Sequence, residues 1–178
     1  MIDRPDLTNL PPAVVAYIEA LDMPNAAAER NAIGALPQHF ADMFGWEEMV
    51  ALYAGIFKEL SPEDRAKCVI YVRNYGEAAA IDFFGPRYGL PKATCTHNSY
   101  WIWGPPPGKT GEVMIVLGVR HDLPQSLDDL RPYFESVEHV ATFEHPLAMP
   151  YENDRPIFLC RGLKVTFADL WKIDKNFI

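Results

Sequence analysis

A chain of 178 residues, 49% of them hydrophobic, is long enough to bury roughly 70% of its unfolded surface in one domain without disulfide or metal staples. Its formal charge of −8 argues against a nucleic-acid backbone or an anionic membrane surface as partner, since both are held by basic faces, and leaves a small neutral or cationic ligand as the better fit. An acidic, proline-rich start that does not read as a secretory leader, and the lack of any apolar run of about 18 residues, make the chain as given read as soluble.

Taken in order, residues 1–12 form a loose lead-in, and the Pro11-Pro12 start then puts Val14, Val15, Ile18 and Leu21 on one face of a short helix. From Leu36 to Leu60 a single long helix is expected, with Trp46, Met49, Val50, Tyr53, Ile56, Phe57 and Leu60 as an apolar stripe that lies on a sheet. Residues 1–60 are thus a helical N-terminal extension packing on a core of residues 61–178, the two making one compact unit. Ser61-Pro62-Glu63-Asp64 supplies a cap, a proline at the first helical position and acids in the first turn, so one more helical turn leads into the strand Cys68–Val72. Asn74 caps a helix through Glu77–Phe84 that stops at Gly85-Pro86.

Lys92–Cys95 is a short second strand, and the apolar run within residues 111–119 is a third, buried on both faces like Cys68–Val72 and expected beside it at the centre of the sheet. A helix follows over residues 122–137, with Pro132 marking a break near its end. A fourth strand, Val137–Phe143, is expected to place Val137, His139, Ala141 and Phe143 on one side, and Pro156–Cys160 makes a fifth. A small helix from Thr166 carries Phe167, Leu170 and Trp171. Strands alternating with helices give an α/β fold, a mostly parallel sheet flanked by helices with the helical extension in front.

The string GPPPGKT at Gly104–Thr110 imitates a phosphate-binding loop but is one residue short, and its three prolines lack the N–H groups such a loop uses. There is no G-x-G-x-x-G, no histidine or cysteine pair at ligand spacing, and no G-x-S-x-G around Ser99, so no catalytic residue, cofactor or metal is assigned. Cys68, Cys95 and Cys160 lack C-x-x-C spacing; those in strand-like runs serve as small hydrophobes, and the three do not decide the redox compartment. One strand-end turn and two polar-aromatic stretches remain. The Asn74–Glu77 turn sits at the carboxyl end of a strand, where open α/β sheets place ligands. Thr96–Gly104 and Met149–Asp154 set amides and carboxylates beside flat aromatic faces, which suits a polyhydroxylated ligand. The plainer readings are a structural βα turn, core aromatics and a rigid Asn/Asp turn.

The strings NYGEAAAIDFFGPRYGLP (Asn74–Pro91), HNSYWIWGP (His97–Pro105) and FESVEHVATFEHPLAMPYENDRPIFLCRGLK (Phe134–Lys164), with LPQHFADMFGWEEMV upstream, resemble the soluble C-terminal region of bacterial membrane glycosyltransferases of family 39. These belong to the class related to dolichyl-phosphate-mannose protein mannosyltransferases. The resemblance implies a polytopic parent that takes a sugar from a lipid-phosphate carrier, with acidic catalytic residues in loops near its first membrane helices. No part of this chain matches that catalytic region. The resemblance supplies the pathway and not this domain's own role, for which the leading expectation is an accessory domain on the extracytoplasmic side of the bacterial inner membrane. It would pack on the parent's membrane domain and assist recognition of a sugar or lipid-phosphate-sugar donor, or of the acceptor. The candidate ligand contacts are Asn74, Tyr75, Glu77, His97, Asn98, Trp101, Trp103, Tyr151, Glu152 and Asn153, gathered in one polar-aromatic pocket in which Glu77 and Glu152 accept hydrogen bonds from hydroxyls. The alternatives are a structural module with no small ligand, and a small enzyme using Glu77 or His97 as acid/base, which requires a shifted pKa.

Overall fold

The structure, a computed structural model, describes residues 12–13, 15–16, 34–118 and 123–177. Pro12, Ala13, Val15 and Ala16 are helical; Val14, Ile18 and Leu21, and with them most of the first expected helix, lie outside the described residues. The chain divides into two compact units, Met1–Gly45 with Glu144–Asp154, and Trp46–Phe143 with Arg155–Ile178.

In the first unit α1 (Gln38–Ala41) and a 3-10 turn (Pro150–Glu152) enclose a small core of Leu36, Ala41 and Met149, against which Phe40, Phe44, Leu147 and Tyr151 pack. The single helix expected over Leu36–Leu60 is broken. Helical bonds give way to tighter turns at Met43 and Phe44, and Gly45 then takes φ 86°, a left-handed conformation that ends a helix. The apolar period runs on past this point because one left-handed residue leaves no mark on it. Helix α2 (Trp46–Glu59) therefore starts afresh and belongs with the sheet.

The second unit continues with α3 (Pro62–Lys67), β1 (Val69–Val72), α4 (Tyr75–Phe84), a 3-10 turn (Gly85–Tyr88), β2 (Ala93–Cys95), α5 (Ser99–Trp103), β3 (Val113–Leu117), α6 (Leu123–Leu130), β4 (Phe134–Phe143), β5 (Arg155–Leu163) and α7 (Phe167–Ile173). Ser61 caps α3 by accepting from Asp64 N at 3.0 Å, and Thr166 caps α7 by accepting from Asp169 N at 3.1 Å. The five strands lie in the order β2-β1-β3-β5-β4. β1 is parallel to both β2 and β3, while β5 runs antiparallel to β3 and to β4, so the sheet is mixed with a parallel centre. β1 and β3 are adjacent and buried at every position, as their apolar composition requires.

Alternation along β1 divides the core. Ile70 and Val72 face a layer that includes Met49, Val50, Tyr53 and Ile81 of α2 and α4, while Val69 and Tyr71 face Leu130, Phe167 and Trp171 of α6 and α7. Full burial of a side chain such as Ile70 or Ile115 contributes about 1.5–3 kcal/mol. Pro132 stops the sixth helix earlier than expected, at Leu130, and β4 begins at Phe134. The expected one-sided alternation of β4 also fails. A register shift between His139 and Ala141 leaves Val137 on the α6–α7 face and puts Ala141 and Phe143 on the α2–α4 face.

Candidate functional site

The carboxyl ends of β1 and β3 are the place where the chain departs in opposite directions, through α4 to β2 on one side and through α6 towards β4 on the other. In open α/β sheets that divergence leaves a crevice for a ligand. Here the first side of the crevice is built by a capping box. Asn74 Oδ1 accepts from Glu77 N at 2.9 Å, and Glu77 Oε2 accepts from Arg73 N at 2.8 Å and Asn74 N at 3.0 Å. A Cβ at Gly76 would stand 3.2 Å from Asn74 Oδ1 and 3.4 Å from the Trp46 ring, so the residue between Tyr75 and Glu77 is held small.

The other oxygen of Glu77 faces Arg155 Nη2, and Arg155 in turn donates from Nε and Nη2 to Gly118 O at 3.0 and 2.7 Å. One buried guanidinium thereby ties the start of α4, the end of β3 and the start of β5. The fully buried Tyr53 lies in the same electrostatic field. Burial, and after it the Glu77 charge, push its phenol well above the usual tyrosine value, against a smaller lowering by Arg155. Its hydroxyl has no hydrogen-bond partner among the described residues.

A second network crosses from β1 and β2 to the end of α7. Asp174 Oδ2 accepts from the Tyr71 hydroxyl, from Thr96 Oγ1 at 3.1 Å and from Arg73 Nη1 at 3.4 Å. The Tyr71 phenol is raised, first by burial and then by the Asp174 charge. Beyond Asp174 the chain pairs with the β2 exit, Asn176 N donating to Thr96 O at 3.1 Å and Asn98 N to Asn176 O at 2.9 Å. Arg73 and Asp174 stand at a cavity of about 340 Å³, within the range of small-molecule sites, whose apolar lining comes from Met114, Val116, Leu130 and Phe134. Gln125, Asp129 and Tyr133 add polar groups from the α6 side.

Of the residues expected to bind ligand, the turn after β1 and the segment after β2 do meet, with the Tyr75 and His97 rings 5.1 Å apart. Tyr75 is 57% exposed, whereas His97 is only 5% exposed and neither ring nitrogen has a hydrogen-bond partner among the described residues. Asn98 sits at φ 50°, a left-handed backbone that asparagine tolerates better than most residues. Trp101 is structural: its Nε1 donates to Trp171 O at 3.0 Å, Trp171 Nε1 donates back to Trp101 O at 3.3 Å, and Lys175 Nζ lies 4.2 Å over its ring. Trp103 is exposed beside Tyr100. Tyr151, Glu152 and Asn153 lie in the first unit, where Asn153 Oδ1 accepts from His145 N at 2.7 Å, the rigid-turn role open to it from sequence.

Sequence reasoning missed Arg73, Arg155 and Asp174. The N-x-x-E spacing at Asn74–Glu77 would have announced the capping box, but no local signal announces Arg155 or Asp174, whose partners lie far off in the chain. Gly104–Thr110 opens no helix, and Lys109 Nζ donates to Ala66 O. Cys68 and Cys160 are pushed up to about 12 and Cys95 to about 11, each chiefly by burial, which keeps them protonated and poor nucleophiles. Among the described residues there is no cluster of three or more metal-ligating side chains, and no helix long and apolar enough to cross a membrane. Comparison with family models, with curated proteins and with solved structures gives no match to this chain.

Proposed function

We propose that this chain is an extracytoplasmic accessory domain of a bacterial membrane glycosyltransferase of family 39, one that assists donor or acceptor recognition and is not itself catalytic. What carries the reading is the place where the resembling strings meet. Asn74 and Glu77 of the first, His97 of the second and Arg155 of the third fall at the carboxyl edge of the parallel strands. The two networks there share neighbouring residues of the β1 exit, and the second reaches the mouth of the cavity under Arg73 and Asp174. A pocket with an apolar floor and a few convergent polar groups binds; the acid/base chemistry of a transferase needs more. Glu77 has both carboxylate oxygens engaged, by two backbone N–H groups and by Arg155, which suits a clamp and not a proton carrier.

The purified chain, mixed with a polyprenyl-phosphate-linked hexose in detergent micelles, is expected to bind it saturably, to lose that binding in Arg73→Ala, and to transfer no sugar. Turnover by the chain alone would replace this reading with that of an independent enzyme. A chain that binds neither the carrier-linked sugar nor its acceptor would be a structural module, the reading favoured by the internal use of Asn74 and Glu77.

A further inference from the structure

A second cavity, of about 480 Å³, lies along the edge strand β2, and it differs in chemistry from the one under Arg73 and Asp174. Thr94 lines it from the sheet. Paired with Tyr71 across the strands, Thr94 shares a sheet face with Tyr71 and Thr96, whose hydroxyls, 3.1 Å apart, converge on Asp174. The Thr94 hydroxyl, on a residue 2% exposed, has no partner among the described residues. A buried hydroxyl left unpaired is unfavourable, and a bound group that donates or accepts there would relieve that cost.

The walls are flat. Tyr100 and Trp103 pack with ring centroids 4.7 Å apart, Trp103 leaves 70% of its surface to solvent, and Pro105–Pro107 forms a stiff, apolar side. Asp82 also lines the cavity, and its carboxylate accepts from Ala93 N at 2.8 Å and from the Tyr100 hydroxyl at 3.1 Å, so it holds the ring in place and keeps its negative charge at the wall. Lys92 and Lys109 line the same cavity as two cations against that one carboxylate, which leaves the lining cationic by one charge on a chain of net charge −8; Lys109 Nζ spends one of its donors on Ala66 O. Cys68 also lines it, but its thiol is raised by burial, so covalent chemistry there is not favoured.

We propose that this cavity binds an anionic sugar ring, of the hexose-phosphate or hexuronate kind. The apolar face of the ring lies on Trp103 and Tyr100, one hydroxyl bonds to Thr94, and the charge faces Lys92 and Lys109. The site is separate from the Arg73–Asp174 cavity, and its occupancy needs no membrane partner.

Calorimetric titration of the purified chain with glucose 6-phosphate, glucuronate, glucose and inorganic phosphate tests this. Either or both of the first two are expected to bind saturably, at least ten-fold tighter than glucose and than inorganic phosphate, and which of them binds identifies the anion. Thr94→Val keeps the side-chain shape and removes the unpaired hydroxyl, so it should fold with unchanged or raised Tm yet bind at least ten-fold more weakly. Trp103→Ala, at an exposed position, should weaken binding by a similar factor, and Lys92→Met should narrow the preference for anions over glucose. Failure of both anionic sugars to bind, wild-type affinity in Thr94→Val, or glucose or inorganic phosphate binding as tightly as the anionic sugars would overturn the proposal.

Discussion

Arg155, the first residue of β5, places its guanidinium 3.4 Å from the Glu77 carboxylate in the first turn of α4, with the two side chains only 8% and 4% exposed. Attraction between buried charges offsets much of their lost hydration, but only while both are present. Removing one partner strands the other, which typically costs about 3–5 kcal/mol. Arg155→Met should therefore lower the unfolding free energy in urea by about that amount, since it also leaves Gly118 O without its two donors. Adding Glu77→Gln to Arg155→Met should recover part of the loss. A double-mutant coupling near zero would mean that the two charges do not sense each other.

Asn74 supports the same corner by a neutral route. Its side chain accepts from Glu77 N, so Asn74→Ala should cost about 1 kcal/mol, while Asn74→Asp keeps the acceptor at a helix N-terminus and should cost little. Thermal unfolding of the two variants checks this, and equal losses would sink the capping account.

What the sequence made legible were features whose cause is local. Val69–Val72 and Val113–Leu117 announce central parallel strands because both faces must be apolar, and Asn74, Ser61 and Thr166 announce helix starts because the cap lies within three residues of its partner. Gly45 breaks a helix without disturbing the apolar period on either side, and the irregularity at His139–Ala141 turns β4 over with no glycine or proline to mark it. The site was half legible for the same reason. Strand ends and turn residues located the edge of the sheet, yet Arg155 meets Glu77, and Asp174 meets Tyr71, only because the fold joins distant parts of the chain.

Alkaline pH should destabilise the protein before its lysines titrate. In the unfolded chain a thiol ionises near pH 8.5 to 9, whereas burial holds Cys68 and Cys160 protonated up to about 12. Between those values the folded state binds more protons than the unfolded one, so stability is fully present below about pH 8.5 and falls as the pH rises. The slope is about 1.4 kcal/mol per pH unit for each group, or roughly 3 kcal/mol per unit for these two. Urea unfolding at pH 8, 9 and 10 should show the decline steepening above pH 9, and Cys160→Ala should make it shallower. A flat profile to pH 10.5 would contradict the assignment.

Asp174 is the point at which the end of α7 is fastened to the sheet, because one carboxylate oxygen receives Tyr71, Thr96 and Arg73 together. Asp174→Ala leaves the two hydroxyls with each other, at 3.1 Å, and takes the anion from beside Arg73. Charge-assisted bonds are the stronger kind, so a loss of about 2–3 kcal/mol is expected. Tyr71→Phe, which removes one donor and leaves Thr96 and Arg73 on the carboxylate, should cost about 1 kcal/mol. Asp174→Ala should also loosen the pairing beyond α7, where Asn176 bonds to Thr96 and Asn98. Amide hydrogen exchange at Asn98 and Asn176 should therefore accelerate in Asp174→Ala, ahead of exchange in β1 and β3. Lys172→Ala, on the same helix but exposed and paired with Asp169, should change neither stability nor exchange at those two amides. If exchange at Asn98 and Asn176 is as slow in Asp174→Ala as in the wild type, backbone pairing alone holds this segment and the carboxylate is not its anchor.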